Sequence, residues 1–153
     1  MQTAAIHEGG LQRGLYDPSF SRRTYARLIE CAESCLHSGV DVIVDAAFLA
    51  GEERRLFSNL AKRKGIPFII VQCQADPEVL ARHILQRQQM RLDPSDADVG
   101  VLNWQLQETQ PLSAEERSHA ILVDTTKPEA MQNACTAIRD RLDRRPGTAT
   151  PTQ

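Results

Sequence analysis

The sequence predicts a three-layer α/β domain with a mainly parallel sheet. Two observations carry that prediction. Short apolar segments, Val40–Phe48 (VDVIVDAAF), Pro67–Cys73 (PFIIVQC) and Ala120–Val123 (AILV), alternate with longer stretches of helical period, and no segment repeats. The first of them is nearly continuous in apolar residues instead of alternating with polar ones, which is the pattern of a strand covered on both faces. Strands that alternate with helices join into parallel sheets through helical crossovers.

Length and composition bound the function. A chain of 153 residues has the size of one domain and can bury a core. With 41% hydrophobic and 25% charged residues and a formal net charge of -2, it is not composed as a disordered chain. The same balance gives no general attraction to nucleic acid or to an anionic membrane. No apolar run approaches the roughly 20 residues of a membrane span. The N-terminal MQTAAIHEGG has neither the basic start nor the apolar core of a secretory signal, so a cytoplasmic location is expected. Cys31, Cys35, Cys73 and Cys135 form no CxxC pair. Cys31 and Cys35 are four apart on a predicted helix, but no partner motif accompanies them, so reduced, buried thiols and no metal site are expected.

In chain order, residues 1–16 hold Gly9, Gly10 and Gly14 and read as a flexible segment. Asp17-Pro18-Ser19 starts a helix whose inner face is Tyr25, Leu28, Ile29, Ala32 and Leu36, with Gly39 as its end. The strand through Asp45 follows. A second helix over about Glu52–Lys64 turns Leu56, Phe57, Leu60 and Ala61 inward and stops at Gly65. After the strand Pro67–Cys73, Asp76-Pro77-Glu78 is a helix start with a capping acid and proline at the first position. That helix carries Leu80 and Ile84 inward and is broken at Asp93-Pro94-Ser95. Ser95 caps a further helix with Val99, Leu102 and Leu106 on one face. Ser113 to Glu116 has the capping-box spacing and predicts a short helix. The strand Ala120–Val123, closed by Asp124, leads to Thr126–Glu129, which repeats that spacing. The last helix is expected to bury Met131, Cys135, Ile138 and Leu142. Residues 144–153 read as a disordered Pro/Thr-rich tail, which leaves 17–143 as the domain.

Three groups of residues could carry chemistry. Asp45 stands at the carboxyl end of its strand, where open α/β sheets bind ligands. It could orient a substrate hydroxyl or a magnesium-bound water; it could equally cap the next turn. Arg82, Arg87 and Arg91 lie on one helix ahead of a Pro/Asp/Ser break. Such a helix can form a phosphate-clamping lid, because guanidinium groups bind phosphate bidentately, or it can be a solvated basic face. Arg87 is five residues past Arg82, so the two are offset around the helix. Arg22 and Arg23 open the first long helix against its dipole, which an anionic ligand or acids elsewhere would offset. Trp104 reads as a packing residue, and the scattered His7, His37, His83 and His119 show no ligand spacing.

Several stretches together resemble a known family. GLYDPSFSRRTYARL at 14–28, GVDVIVDAAFLAGEERRLF at 39–57, VLARHILQRQQMRLDPSDADVGVLNWQ at 79–105 and VDT at 123–125 are similar to the P-loop kinase-like AAA_33 family. Its members are predicted small-molecule kinases related to gluconate kinase, chloramphenicol phosphotransferase and zeta toxin. They also occur fused behind aminoglycoside-phosphotransferase-like domains. The resemblance implies a three-layer P-loop NTPase-like fold that binds ATP and Mg2+ and transfers the terminal phosphoryl group to a small hydroxylated acceptor. It implies that Asp45 is the acid at the strand end, that Arg82 and Arg87, with Arg91, are lid arginines facing the transferring phosphate, and that Arg22 and Arg23 lie on the acceptor side.

The sequence departs from that family at one place. The family starts with a strand, then G-x-x-x-x-G-K-[ST], then a helix, and no such segment occurs in these residues. Gly9-Gly10 is followed by Leu11, with no lysine or hydroxyl in place. The expectation is therefore a domain truncated at its N-terminus, with first strand and P-loop missing and with weak or absent ATP binding. The competing expectation is a non-catalytic interaction module, pairing through an open sheet edge with a partner or with itself.

Overall fold

The computed structural model describes residues 18–90 and 99–143, and the chain divides into two compact units, Met1–Ala47 and Phe48–Gln153. The expectations for residues 1–17, for Arg91 and the break at 93–95, for the Ser95 cap and for the 144–153 tail lie outside the described residues.

In the first unit, helix α1 spans Pro18–His37. Tyr25 and Ala32 are buried, and Leu28, Ile29 and Leu36 are half-buried, so the stripe follows the expected spacing. Gly39, at φ 78°, ends the helix. Its N–H bonds to Leu36 O at 3.1 Å, and the Val40 N–H reaches back to Cys35 O at 3.2 Å. That pair of bonds is a Schellman motif, and it needs a residue at positive φ.

Val40–Asp45 does not form the expected strand. Ile43 is 96% exposed, while Val42 and Val44 are half-buried. A strand exists through backbone pairing with a neighbour, and among the described residues no strand pairs with this segment. β-branched composition alone does not supply that partner.

The second unit is a mixed α/β arrangement. Helix α2 spans Gly51–Lys64 and buries Arg54, Phe57, Leu60 and Ala61. Leu56, expected inward, is exposed, and Arg54 takes a place on the buried face. Gly65, at φ 65°, closes α2 with the same pair of bonds that closes α1, Gly65 N–H to Lys62 O at 3.2 Å and Ile66 N–H to Ala61 O at 3.1 Å. At the other end of α2 the Ala50 N–H donates to Glu53 Oε2 at 3.1 Å. Ala50 has no side-chain oxygen to return that bond, so only half of a capping box is made. Ala50 is already extended, at φ -96° and ψ 140°. Ala50→Ser is therefore expected to raise stability by about 1 kcal/mol in urea unfolding, by accepting from the Glu53 N–H.

The sheet consists of two parallel strands, β1 (Ile70–Gln74) and β2 (Ala120–Asp124), with Ile70 opposite Ala120 and Gln74 opposite Asp124. β1 starts three residues later than the sequence suggests. Pro67, which lacks an N–H, stays outside the ladder. Between the strands run α3 (Pro77–Met90), α4 (Val99–Glu108) and α5 (Ala114–His119). Helix α6 (Ala130–Asp143) follows β2 and packs on it.

The helix starts follow their signals at α3 and α5. Asp76 Oδ1 accepts from the Glu78 N–H at 2.8 Å. Ser113 Oγ accepts from the Glu116 N–H at 3.1 Å, and Glu116 Oε2 accepts from the Ser113 N–H at 2.7 Å, a complete capping box. The signal fails at α6, which starts at Ala130 and not at Thr126. Asp124 Oδ1 instead draws in the Thr126 N–H at 3.1 Å and the Thr126 hydroxyl at 2.6 Å. Those bonds hold 125–129 as turns and keep the Asp124 carboxyl below its ordinary range.

Burial is shallower than the periodicity suggests. Met131 is 77% exposed, Leu106 is exposed, and Ile138 and Leu142 are half-buried. All four cysteines are exposed, where the sequence leads one to expect buried thiols. A helix buries only the part of its apolar stripe that a neighbour covers, and two strands offer α6 a narrow surface.

Candidate functional site

Asp45 lies in the first unit, exposed, eight residues after α1 ends. Arg22 and Arg23 lie in the first turns of α1, also exposed. Arg82 and Arg87 belong to the second unit, exposed on α3. Asp45, Arg22, Arg23 and Arg82 make no side-chain hydrogen bond or ion pair among the described residues.

The two α3 arginines part ways. A groove of about 620 Å³ runs between α3 and α4, lined by Leu80, His83, Ile84, Arg87, Val101 and Leu102 among others. Arg87 reaches it and Arg82 does not. Five residues correspond to roughly 140° of helix rotation, which turns Arg82 away from the face that meets α4. Trp104 is half-buried on α4.

Among the described residues of the second unit, a buried polar cluster forms around Arg54, which the sequence does not mark as a site. Arg54, 6% exposed, donates from Nε to Glu116 Oε1 at 2.6 Å and from Nη2 to Glu116 Oε2 at 3.4 Å. Its Nη1 donates to Phe48 O at 2.9 Å and Leu49 O at 3.4 Å, and its Nη2 to Pro111 O at 3.4 Å. One guanidinium thus binds the start of the unit, the segment before α5 and α5 itself. A planar five-donor fork can do this and an ammonium cannot.

Neighbouring contacts tighten the same junction. The Gln110 N–H donates to Leu49 O at 2.8 Å, and Gln110 Oε1 accepts from the Gly51 N–H at 2.8 Å. Phe48 holds φ 49°, a left-handed backbone for a bulky residue, and its ring meets Phe57 edge-on at 5.3 Å. That conformation costs of order 1 kcal/mol or more, and the Arg54 bond to its carbonyl and the ring contact offset the cost. The Arg54 guanidinium, foremost, and the Ser113 N–H hold the Glu116 carboxyl down at about 2. The missed signal was Arg54 itself, three residues before Phe57 and six before Leu60, in step with the apolar stripe. Lys62 Nζ adds an exposed pair to Glu115 at 2.7 Å.

Helix N-termini bind anions through free N–H groups. The first turns of α2, α3 and α5 hold their own acids, Glu52 and Glu53, Asp76 and Glu78, and Glu115 and Glu116, whereas those of α1, α4 and α6 hold none. The exposed arginines are the groups that could meet phosphate oxygens.

The family described as an AAA domain, AAA_33, matches residues 3–112, well over half of the chain. The chain belongs to this family. AAA_33 is P-loop kinase-like and nucleotide-binding, and such proteins generally bind ATP and Mg2+. The matched range holds Arg22, Arg23, Asp45, Arg54, Arg82, Arg87 and Arg91, and ends just before Ser113 and Glu116. No curated protein and no solved structure matches the chain. The small parallel sheet with helices between its strands agrees with an AAA_33 domain. Among the described residues no helix is long and apolar enough to cross a membrane.

Proposed function

We propose that this AAA_33 chain is the acceptor- and lid-bearing part of a cytoplasmic, ATP-dependent small-molecule phosphotransferase, with residues 17–143 as its domain, and that these 153 residues alone do not transfer phosphate. The observation that supports this reading is the family match in a sequence without G-x-x-x-x-G-K-[ST]. Backbone amides, a lysine and a magnesium-binding hydroxyl are the groups that such a loop contributes. A domain truncated of that loop and its strand retains acceptor-side and lid groups only.

The roles follow from chemistry. Asp45 orients the acceptor hydroxyl or a magnesium-bound water. Arg82, Arg87 and Arg91 neutralise charge on the transferring phosphate, and Arg22 and Arg23 hold an anionic part of the acceptor.

The test is ATP consumption with a panel of small hydroxylated acceptors, run on this chain and on the same chain extended at its N-terminus by a strand–GxxxxGK[ST]–helix segment. Transfer is expected from the extended chain only. Asp45→Asn in that chain is expected to lower it by about a hundredfold or more, with ATP binding retained. An extended chain that binds ATP and phosphorylates none of the acceptors would contradict the reading.

A further inference from the structure

The two strands of the sheet present their outer edges differently. The Thr125 N–H donates to Gln74 O at 2.9 Å, so Gln74 faces β2. Backbone groups alternate sides along a strand, and with the register Gln74 opposite Asp124 this turns Ile70, Gln72 and Gln74 toward β2. The N–H and C=O groups of Val71 and Cys73 therefore point away from β2, along the free edge of β1. Among the described residues they meet no backbone partner.

On β2 the outward residues are Ala120, Leu122 and Asp124, by the same alternation. That edge is partly closed. Arg141 from α6 donates to Ala120 O at 2.7 Å and to Ser118 O at 3.4 Å. Proteins protect edge strands with charged residues, proline, bulges or a covering side chain. β1, with the sequence IVQCQ, has none of these within its five residues. Val71 is 44% exposed, and Cys73 is exposed on the same face.

We propose that the free edge of β1 pairs antiparallel with β1 of a second copy, in a two-fold register centred on Gln72 that sets Val71 opposite Cys73 of the partner subunit. In this register the four outward groups of one edge meet the four of the other. Two closely spaced hydrogen-bonded pairs form, Val71 with the partner's Cys73 and Cys73 with the partner's Val71. The edge is its own complement, as an isologous two-fold contact requires. It brings no charge against a like charge, because β1 has no charged residue. The dimer is a four-stranded sheet, β2–β1–β1–β2, with the Arg141-capped edges outermost. The proposal does not depend on the phosphotransferase reading, since it uses no nucleotide and no site residue.

The test is sedimentation equilibrium of the whole chain in reducing buffer, which rules out disulfide dimers through the exposed thiols. The expected species has twice the 17.1 kDa chain mass. Val71→Pro removes an outward N–H and leaves the β1–β2 ladder intact, so it should weaken dimerisation roughly tenfold or more with unchanged circular dichroism. The register makes a second demand. V71K/C73K places lysine against lysine and should be monomeric, while V71K/C73E places lysine against glutamate and should restore the dimer. A chain that stays monomeric up to about millimolar concentration overturns the proposal. So does a dimer that neither Val71→Pro nor the lysine pair weakens, since it would form through another surface.

Discussion

Arg54→Ala is expected to lower the stability of the second unit by about 3 kcal/mol. Removing one partner of a buried ion pair typically costs about 3–5 kcal/mol, because the other charge stays behind without compensation. The lower end applies here, since Glu116 keeps 18% side-chain exposure and some access to water. The loss also strands the carbonyls of Phe48, Leu49 and Pro111, which share that guanidinium. Arg54→Lys should recover little, because a single ammonium cannot reach the same set of acceptors.

The same cluster sets a pH dependence with a definite sign. Glu116 titrates at about 2 in the folded chain, below its usual value of about 4.5. A carboxyl depressed by folding adds stability that is complete above its unfolded value and is lost as pH falls through the folded one. Stability should thus decline between about pH 5 and pH 2, by up to about 3 kcal/mol from this group. Urea unfolding at pH 7 and pH 3 measures it. Glu116→Gln should start lower at pH 7 and lose less between the two conditions.

Leu60→Ala is expected to cost about 3 kcal/mol, and Leu56→Ala less than about 1 kcal/mol. Leu60 is 2% exposed and leaves a cavity, whereas Leu56 is 41% exposed and leaves mainly open surface. Periodicity alone assigns both leucines to the inner face of α2. Equal losses in urea unfolding would show that the helix faces the rest of its unit differently from the structure.

Local signals in the sequence were legible where the determinant is local. The glycine stops at Gly39 and Gly65, the Asp76-Pro77 start and the Ser113–Glu116 capping box all depend on residues within one turn of each other. Val40–Asp45 forms no strand because pairing depends on another strand, which its four apolar residues cannot specify. Thr126 was misread because Asp124 competes for the same hydroxyl and N–H. For the site, Asp45, Arg22, Arg23, Arg82 and Arg87 could be named from residue type and position, and Arg87 alone of these lines the groove beside α4. Arg54 went unseen because its partners, Glu116 and the Pro111 carbonyl, are some sixty residues away in sequence. A lone arginine in an apolar stripe marks a buried pair without naming who completes it.

The central claim is that these residues carry the acceptor and lid groups of an AAA_33 kinase without the means to hold the nucleotide phosphates. Calorimetric titration of the folded 153-residue chain with magnesium-ATP tests it most directly. No saturable heat is expected at dissociation constants below about 1 mM, or roughly -4 kcal/mol. Saturable binding tighter than that, abolished by Arg87→Ala, would contradict it and would place a phosphate site on α3.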